Sequence, residues 1–134
     1  MCDVCHRGEI YYIMRGEAVG CEQYGGRPGI IVSNDLNNKH SRTVEVVMLT
    51  TRSKKPLPTH VPINSARRPS TALCEQITTV AKERLSDYIG KLDDFEQRMV
   101  DIALAKSIAL QFGGGGISAA VTGVFPIKTA GIRC

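Results

Sequence analysis

Tryptophan is absent from this 134-residue sequence, and only 5% of its residues are aromatic. A core without bulky rings has to be built from aliphatic side chains. No apolar run is long enough to span a membrane. The longest uncharged stretch, Ser107 to Ile127, is broken by four consecutive glycines, where a spanning helix wants about 20 predominantly apolar residues. An export signal is also lacking, because the charged start (Asp3, His6, Arg7, Glu9) is not followed by a long apolar segment. Five scattered cysteines (Cys2, Cys5, Cys21, Cys74, Cys134) do not suggest a disulfide framework. Reduced thiols in the cytoplasm are the expectation. The length fits one domain. Secreted, membrane and multidomain proteins are thereby set aside.

Familiar catalytic signatures are missing too. There is no paired-histidine metal motif and no GxSxG elbow, and the four glycines lack the Lys-Ser/Thr of a P-loop. Cys2-Asp3-Val4-Cys5-His6 reads as CxxCH, the attachment signature of c-type haem, yet it begins at the second residue without an export signal. As a zinc site it is short of the four ligands that structural zinc takes. Residues 1–6 are therefore expected to be a flexible N-terminus.

What the sequence does have is unevenly placed positive charge. Between residues 39 and 68, seven cations (Lys39, Arg42, Arg52, Lys54, Lys55, Arg67, Arg68) face the single acid Glu45, whereas the remainder holds ten cations against twelve acids. A basic belt on a near-neutral body suits a polyanionic partner such as RNA or DNA, the alternative being a solvated face.

Along the chain, the β-branched and aromatic run Gly8–Met14 predicts a first strand, and Pro28–Ser33 a second. A glycine-punctuated loop, residues 15–26, lies between them and is long enough to be functional. Asn34–Asn38 reads as a polar turn. Thr43–Thr51 is nearly continuous in apolar residues and predicts a central strand. After the basic loop Arg52–Pro58, Thr59–Ile63 is extended, with Pro62 confining it to an edge. A second basic loop, residues 64–70, precedes a strand at Thr71–Val80, and Lys82–Leu85 allows one helical turn. Asp93 caps a helix running to about Gln111, with Asp94 and Glu96 in its favourable first turn. Phe95, Met99, Ile102 and Leu110 form one apolar stripe of that helix; Val100, Leu104 and Ile108 form another. Two stripes suit either a dimer surface or burial in one core. Residues 112–134 are expected to be a flexible, glycine-rich tail.

Polar groups collect at the expected strand ends. Glu22, Gln23 and Arg27 lie where the long loop enters the second strand. Thr50 and Thr51 lie where the third leaves, and Glu75 and Gln76 interrupt an apolar strand. Brought together, they would offer a guanidinium, hydroxyls, carboxylates and amides beside a basic loop, a workable pocket for an anion and a nucleobase. His6, His40 and His60 are isolated, and such histidines are more often structural than catalytic.

At these residues the sequence resembles the MazF/PemK toxins of bacterial toxin–antitoxin pairs, most closely the Gram-positive group. Seven motifs carry the resemblance, in order and with compatible spacing: Arg7–Tyr11, Glu22-Gln23, Gly25–Pro28, Ser33–Asp35, Lys55–Val61, Glu75–Ile77 and Asp93-Asp94. They mark out a toxin domain over residues 7–111. The resemblance implies an α+β fold: a small SH3-like β-barrel with a C-terminal helix, assembled as a homodimer. It further implies sequence-specific cleavage of single-stranded mRNA without a metal or other cofactor. The substrate's own 2′-OH would attack, leaving 2′,3′-cyclic phosphate and 5′-OH ends.

By motif match, the essential arginine of that family falls on Arg27 and the essential threonine on Thr50. Glu22, Gln23, Glu75 and Gln76 match groove positions, and Cys21, Thr51, Lys54, Lys55 and His60 complete the candidate RNA contacts. Cys21 stands where the family usually has Ser, and a thiol is the weaker donor. Tyr24 is placed to stack on a base or cover the groove. A guanidinium fork suits the charge that builds on phosphorane oxygens, to which Thr50 can add a hydrogen bond. Arg27 is a poor proton acceptor, so Glu22 or His60 would share that work. An antitoxin whose acidic segment fills the groove would be the protein partner, and no membrane is involved. Two other readings stay open. One is a non-enzymatic toxin of the same fold that poisons DNA gyrase, which would not need the Arg27/Thr50 pair. The other is a passive SH3-like peptide-binding module, which would not need the basic belt.

Overall fold

The computed structural model describes residues 4–14, 26–52 and 55–111. Its elements are β1 (Glu9–Ile13), β2 (Arg27–Ile31), a short helix α1 (Asp35–His40), β3 (Thr43–Thr50), β4 (His60–Ile63) and β5 (Ser70–Ala81). A single 3-10 turn (Lys82–Arg84), β6 (Leu85–Lys91) and α2 (Asp94–Ser107) complete them. The strands form one antiparallel sheet in the order β4-β5-β3-β2-β1-β6.

Strand alternation explains why the central strands read as continuous apolar runs. Ile10, Ile30, Val47 and Leu49 enter one buried cluster with residues of β4, β5 and α2. Their sequence neighbours Tyr11, Ile31 and Val46 enter a second cluster with Ile13, Val44, Val80 and Leu85. Successive side chains point to opposite faces, so a sheet buried on both sides needs apolar residues at almost every position. The helix α2 packs on β4 and β5, contributing Val100 and Ala103 to the first cluster.

The sheet curls until its two ends meet. A Cβ built on Gly90 of β6 would lie 2.5 Å from the backbone oxygen of Ser65, just past β4, so only glycine permits that approach. This is the expected small barrel with a C-terminal helix. Pro62 sits in β4, which pairs with β5 alone, an edge position where its missing N–H costs nothing.

Three local readings need correction, and one strand was not foreseen. Asn34–Asn38 is the start of a helix rather than a simple turn: Asn34 caps α1, its side chain accepting the Asn37 N–H at 2.8 Å. Cys5 does not belong to a flexible N-terminus; it is buried at 3% exposure in the second cluster, as a small apolar thiol can be. The strand β6 has no clear signal, since Ser86, Asp87 and Tyr88 are exposed and Leu85 is its one fully buried residue. Finally, α2 ends at Ser107, where Ala109 adopts a left-handed φ of 52° and stops the helix short of Gln111. Its stripes also divide unexpectedly: Val100 is buried, while Phe95, Ile108 and Leu110 are exposed. Residues 1–3, most of the long loop (15–25) and the segment 112–134 lie outside the described residues, so the expectations placed there stand as stated. Among the described residues, no helix is long and apolar enough to cross a membrane.

Candidate functional site

The ladder delivers Arg27 as the first residue of β2, paired with Ile13 of β1. Just before it, Gly26 passes under Tyr12: the phenol donates to the Gly26 carbonyl at 2.9 Å. A Cβ on Gly26 would meet that ring at 2.6 Å and the Ile13 carbonyl at 2.7 Å. Glycine is required by this close approach, and the backbone entering Arg27 is thereby held in place. Thr50 closes β3, and its hydroxyl accepts the Arg52 N–H at 3.1 Å. With that lone pair used, the hydroxyl proton remains for another acceptor.

The strand β5 brings the third contribution through a large irregularity. Its register against β3 runs evenly from Ala81 to Ile77, opposite Thr43 to Val47, then jumps so that Leu49 faces Ala72. Residues 73–76 therefore bulge opposite the single residue Met48, with the Cys74 N–H donating instead to the Thr59 carbonyl at 2.9 Å. Bulges re-aim side chains and are frequent beside active sites. Here Gln76 turns into a groove while Glu75 is drawn to its rim. Glu75 accepts from Thr59 Oγ1 at 2.7 Å and faces His60 Nε2 at 3.1 Å, and His60 Nδ1 meets the Lys55 carbonyl at 3.1 Å. Burial pushes the Glu75 carboxyl up, but hydrogen bonds from Thr59 and His60 outweigh it and leave it below its ordinary value.

These elements enclose a groove of about 550 Å³ lined by Tyr12, Arg27, Thr50, Thr51, Arg52, Arg67, Arg68 and Gln76 over an apolar floor that includes Leu49, Leu73 and Ile89. Four guanidiniums share it, and no carboxylate appears among the described residues lining it. Nor does any of the four arginines pair with an acid among the described residues. Unpaired like charges in one concavity create a positive field that a polyanion relieves. Burial pushes the Cys74 thiol up to about 12, with Glu75 and Asp101 adding to the effect. It is a packing residue, not a nucleophile.

Of the expected site residues, the groove gathers Arg27, Thr50, Thr51 and Gln76. Glu75, His60 and Lys55 are not in its lining; they hold one another at the bulge. Cys21, Glu22, Gln23 and Lys54 lie outside the described residues. The site-residue expectation missed Tyr12, Arg52, Arg67 and Arg68. The arginines carried a signal as part of the basic belt; Tyr12, half-buried between Tyr11 and Ile13, carried none beyond its place in a strand. Other motif residues prove structural. Arg7 pairs with Asp101 at 2.8 Å and donates to the Val32 carbonyl at 2.8 Å. Asp35 accepts the Arg7 N–H at 2.7 Å, which holds its carboxyl below the ordinary range.

Comparison with known proteins identifies the relatives of this chain. The chain is 42% identical over 112 residues to the endoribonuclease EndoA of Bacillus subtilis, covering 80% of this chain and 97% of that protein. A solved mycobacterial endoribonuclease, in complex with its cognate antitoxin, superposes with a TM-score of 0.71 at 30% identity over 81% of this chain and 99% of that one. MazF of Deinococcus radiodurans, at 17% identity, shares the fold with a TM-score of 0.66 over 80% of this chain and 98% of that one. The family model for PemK-like, MazF-like toxins of type II toxin–antitoxin systems matches residues 6–108, and this chain belongs to that family.

Proposed function

We propose that this chain is an endoribonuclease toxin that cuts single-stranded mRNA inside the four-arginine groove. The observation that carries the reading is the joining of Arg27 and Thr50, from different strands, in a concavity with no lining carboxylate among the described residues. The scissile phosphate sits against Arg27, whose two-pronged donor matches a phosphoryl group. The substrate 2′-OH attacks phosphorus, the bond to the 5′-oxygen breaks, and a 2′,3′-cyclic phosphate and a 5′-OH remain. Charge growing on the non-bridging oxygens is met by the Arg27 guanidinium and the Thr50 hydroxyl. His60 is engaged with Glu75 and Lys55, which favours Glu22 as the proton acceptor. Gln76 offers an amide for reading a base edge, with Thr51 beside it. Cys21, Gln23, Lys54 and the Lys55–His60–Glu75 rim extend the contact surface.

The working assembly is a cytoplasmic homodimer neutralised by a cognate antitoxin whose acidic segment occupies the same groove. The outward stripe of α2, with Phe95 at 68% exposure, supports a protein-covered face. The test is incubation of the protein and an Arg27→Ala variant with a long single-stranded RNA in EDTA, followed by mapping of the ends. Discrete cuts bearing cyclic phosphates, lost in the variant, are expected. Intact RNA from a folded dimer would sink the enzyme reading and return the gyrase-directed alternative.

A further inference from the structure

The loop between β4 and β5 supplies two of the four groove arginines, Arg67 and Arg68, and it contains no regular secondary structure to fix them. Its order comes from one buried carboxylate. Glu96, 5% exposed in the first turn of α2, accepts the Asn64 N–H at 2.7 Å and the Ser65 N–H at 3.2 Å through Oε2. Its Oε1 accepts the Ser65 hydroxyl and the Asp93 N–H, the latter at 3.0 Å. The last of these bonds closes the capping box with Asp93 and would suffice for a helix cap. The other three go to the loop. Gly90 packs against the Ser65 carbonyl, leaving no room for a Cβ. Ser70 secures the far end by donating to the Arg68 carbonyl at 2.8 Å.

We infer that Glu96 is a positioning residue for RNA binding: by clamping Asn64 and Ser65 it holds Arg67 and Arg68 in the groove as contacts for the phosphates flanking the cut. This rests on the ribonuclease reading above and adds a division of labour within it. Arg27 and Thr50 stand on the sheet and do not depend on the clamp; the loop arginines do. A mobile loop would still carry both charges, but binding would first have to order it, and that cost appears in affinity rather than in the chemical step.

The test uses the full chain, with the RNA site that the end mapping yields for turnover and, for affinity, a short oligoribonucleotide of that sequence with a 2′-deoxy residue at the attacking position. Glu96→Gln keeps the side-chain volume but has a single acceptor oxygen, so either the Asn64 and Ser65 N–H groups or the Ser65 hydroxyl and Asp93 N–H lose their acceptor. It is expected to raise Kd and KM about fivefold while kcat stays within about twofold. In an Arg67→Ala/Arg68→Ala background the same substitution should change Kd by less than about 1.5-fold, since the two routes share one endpoint. Ser65→Ala, which removes one loop contact and spares the cap, should shift Kd in the same direction and carries the test if Glu96→Gln proves poorly folded by circular dichroism. A fall in kcat with unchanged KM, or an equal effect in the double-arginine background, overturns the clamp while leaving the ribonuclease standing. A wild-type chain that binds no RNA overturns both.

Discussion

The two sides of the groove carry the same charge but are held in different ways. On the sheet side, Arg27 and Thr50 are ladder residues, paired with Ile13 and Thr71, and Tyr12 braces the backbone before Arg27. On the loop side, Arg67 and Arg68 depend on side-chain bonds from Glu96 and Ser70. Backbone pairing positions atoms with little residual freedom, as a reacting phosphate demands. Side-chain clamps suffice for contacts that need only a nearby positive charge. Under the proposed function, this difference would let one basic groove separate chemistry from affinity.

The largest effect should come from the sheet side. Arg27→Ala is expected to slow single-turnover cleavage by about 10²–10³, as for loss of a donor to developing charge, with a smaller change in Kd. Thr50→Val preserves shape and β-propensity and removes the hydroxyl; a loss of about tenfold or more in the cleavage step is expected, again with KM little changed. On the loop side, Arg67→Ala/Arg68→Ala should leave the step intact and flatten the dependence of log K on log salt by about 1.4, the share of two phosphate contacts to a single strand. Equal salt slopes in wild type and this variant would erase the proposed division.

The last effect concerns the clamp itself and appears in stability. Burial pushes the Glu96 carboxyl up, but hydrogen bonds from Ser65, Asp93 and Asn64 outweigh it, leaving it below the ordinary 4.5. A depressed carboxylate stabilises the fold above the unfolded-state value and loses that contribution as pH falls through the folded one. Because it leaves buried N–H groups without an acceptor, Glu96→Gln should cost about 2 kcal/mol at neutral pH. The gap in Tm from wild type should narrow as pH drops below 4.5. A constant gap from neutral to acid pH would mean the carboxylate is not the group that titrates.

Much of this could be read from residue types alone. The first five strands follow from β-branched runs, because a sheet buried on both faces leaves few positions for polar residues. Asp93 and Glu96 announced the start of α2, since a capping box is a local arrangement within four residues. The family was legible from motif order, and Arg27 and Thr50 with it. What could not be read was orientation. Nothing in Glu75-Gln76 says that a bulge turns the amide inward and commits the carboxylate to Thr59 and His60. Likewise Glu96 reads as a helix cap, and only folding brings it to Asn64 and Ser65, more than thirty residues away in the chain.

By itself, then, the sequence determined the α+β class, the family and the motif residues proposed to meet phosphate, Arg27 and Thr50, because these depend on composition, local period and short motifs. Tertiary structure decided which arginines share the groove, which polar residues stay at its rim, and what holds its loop wall in place. Those are relations between residues distant in the chain, set by sheet closure at Gly90 and by the register jump in β5. No local pattern encodes them.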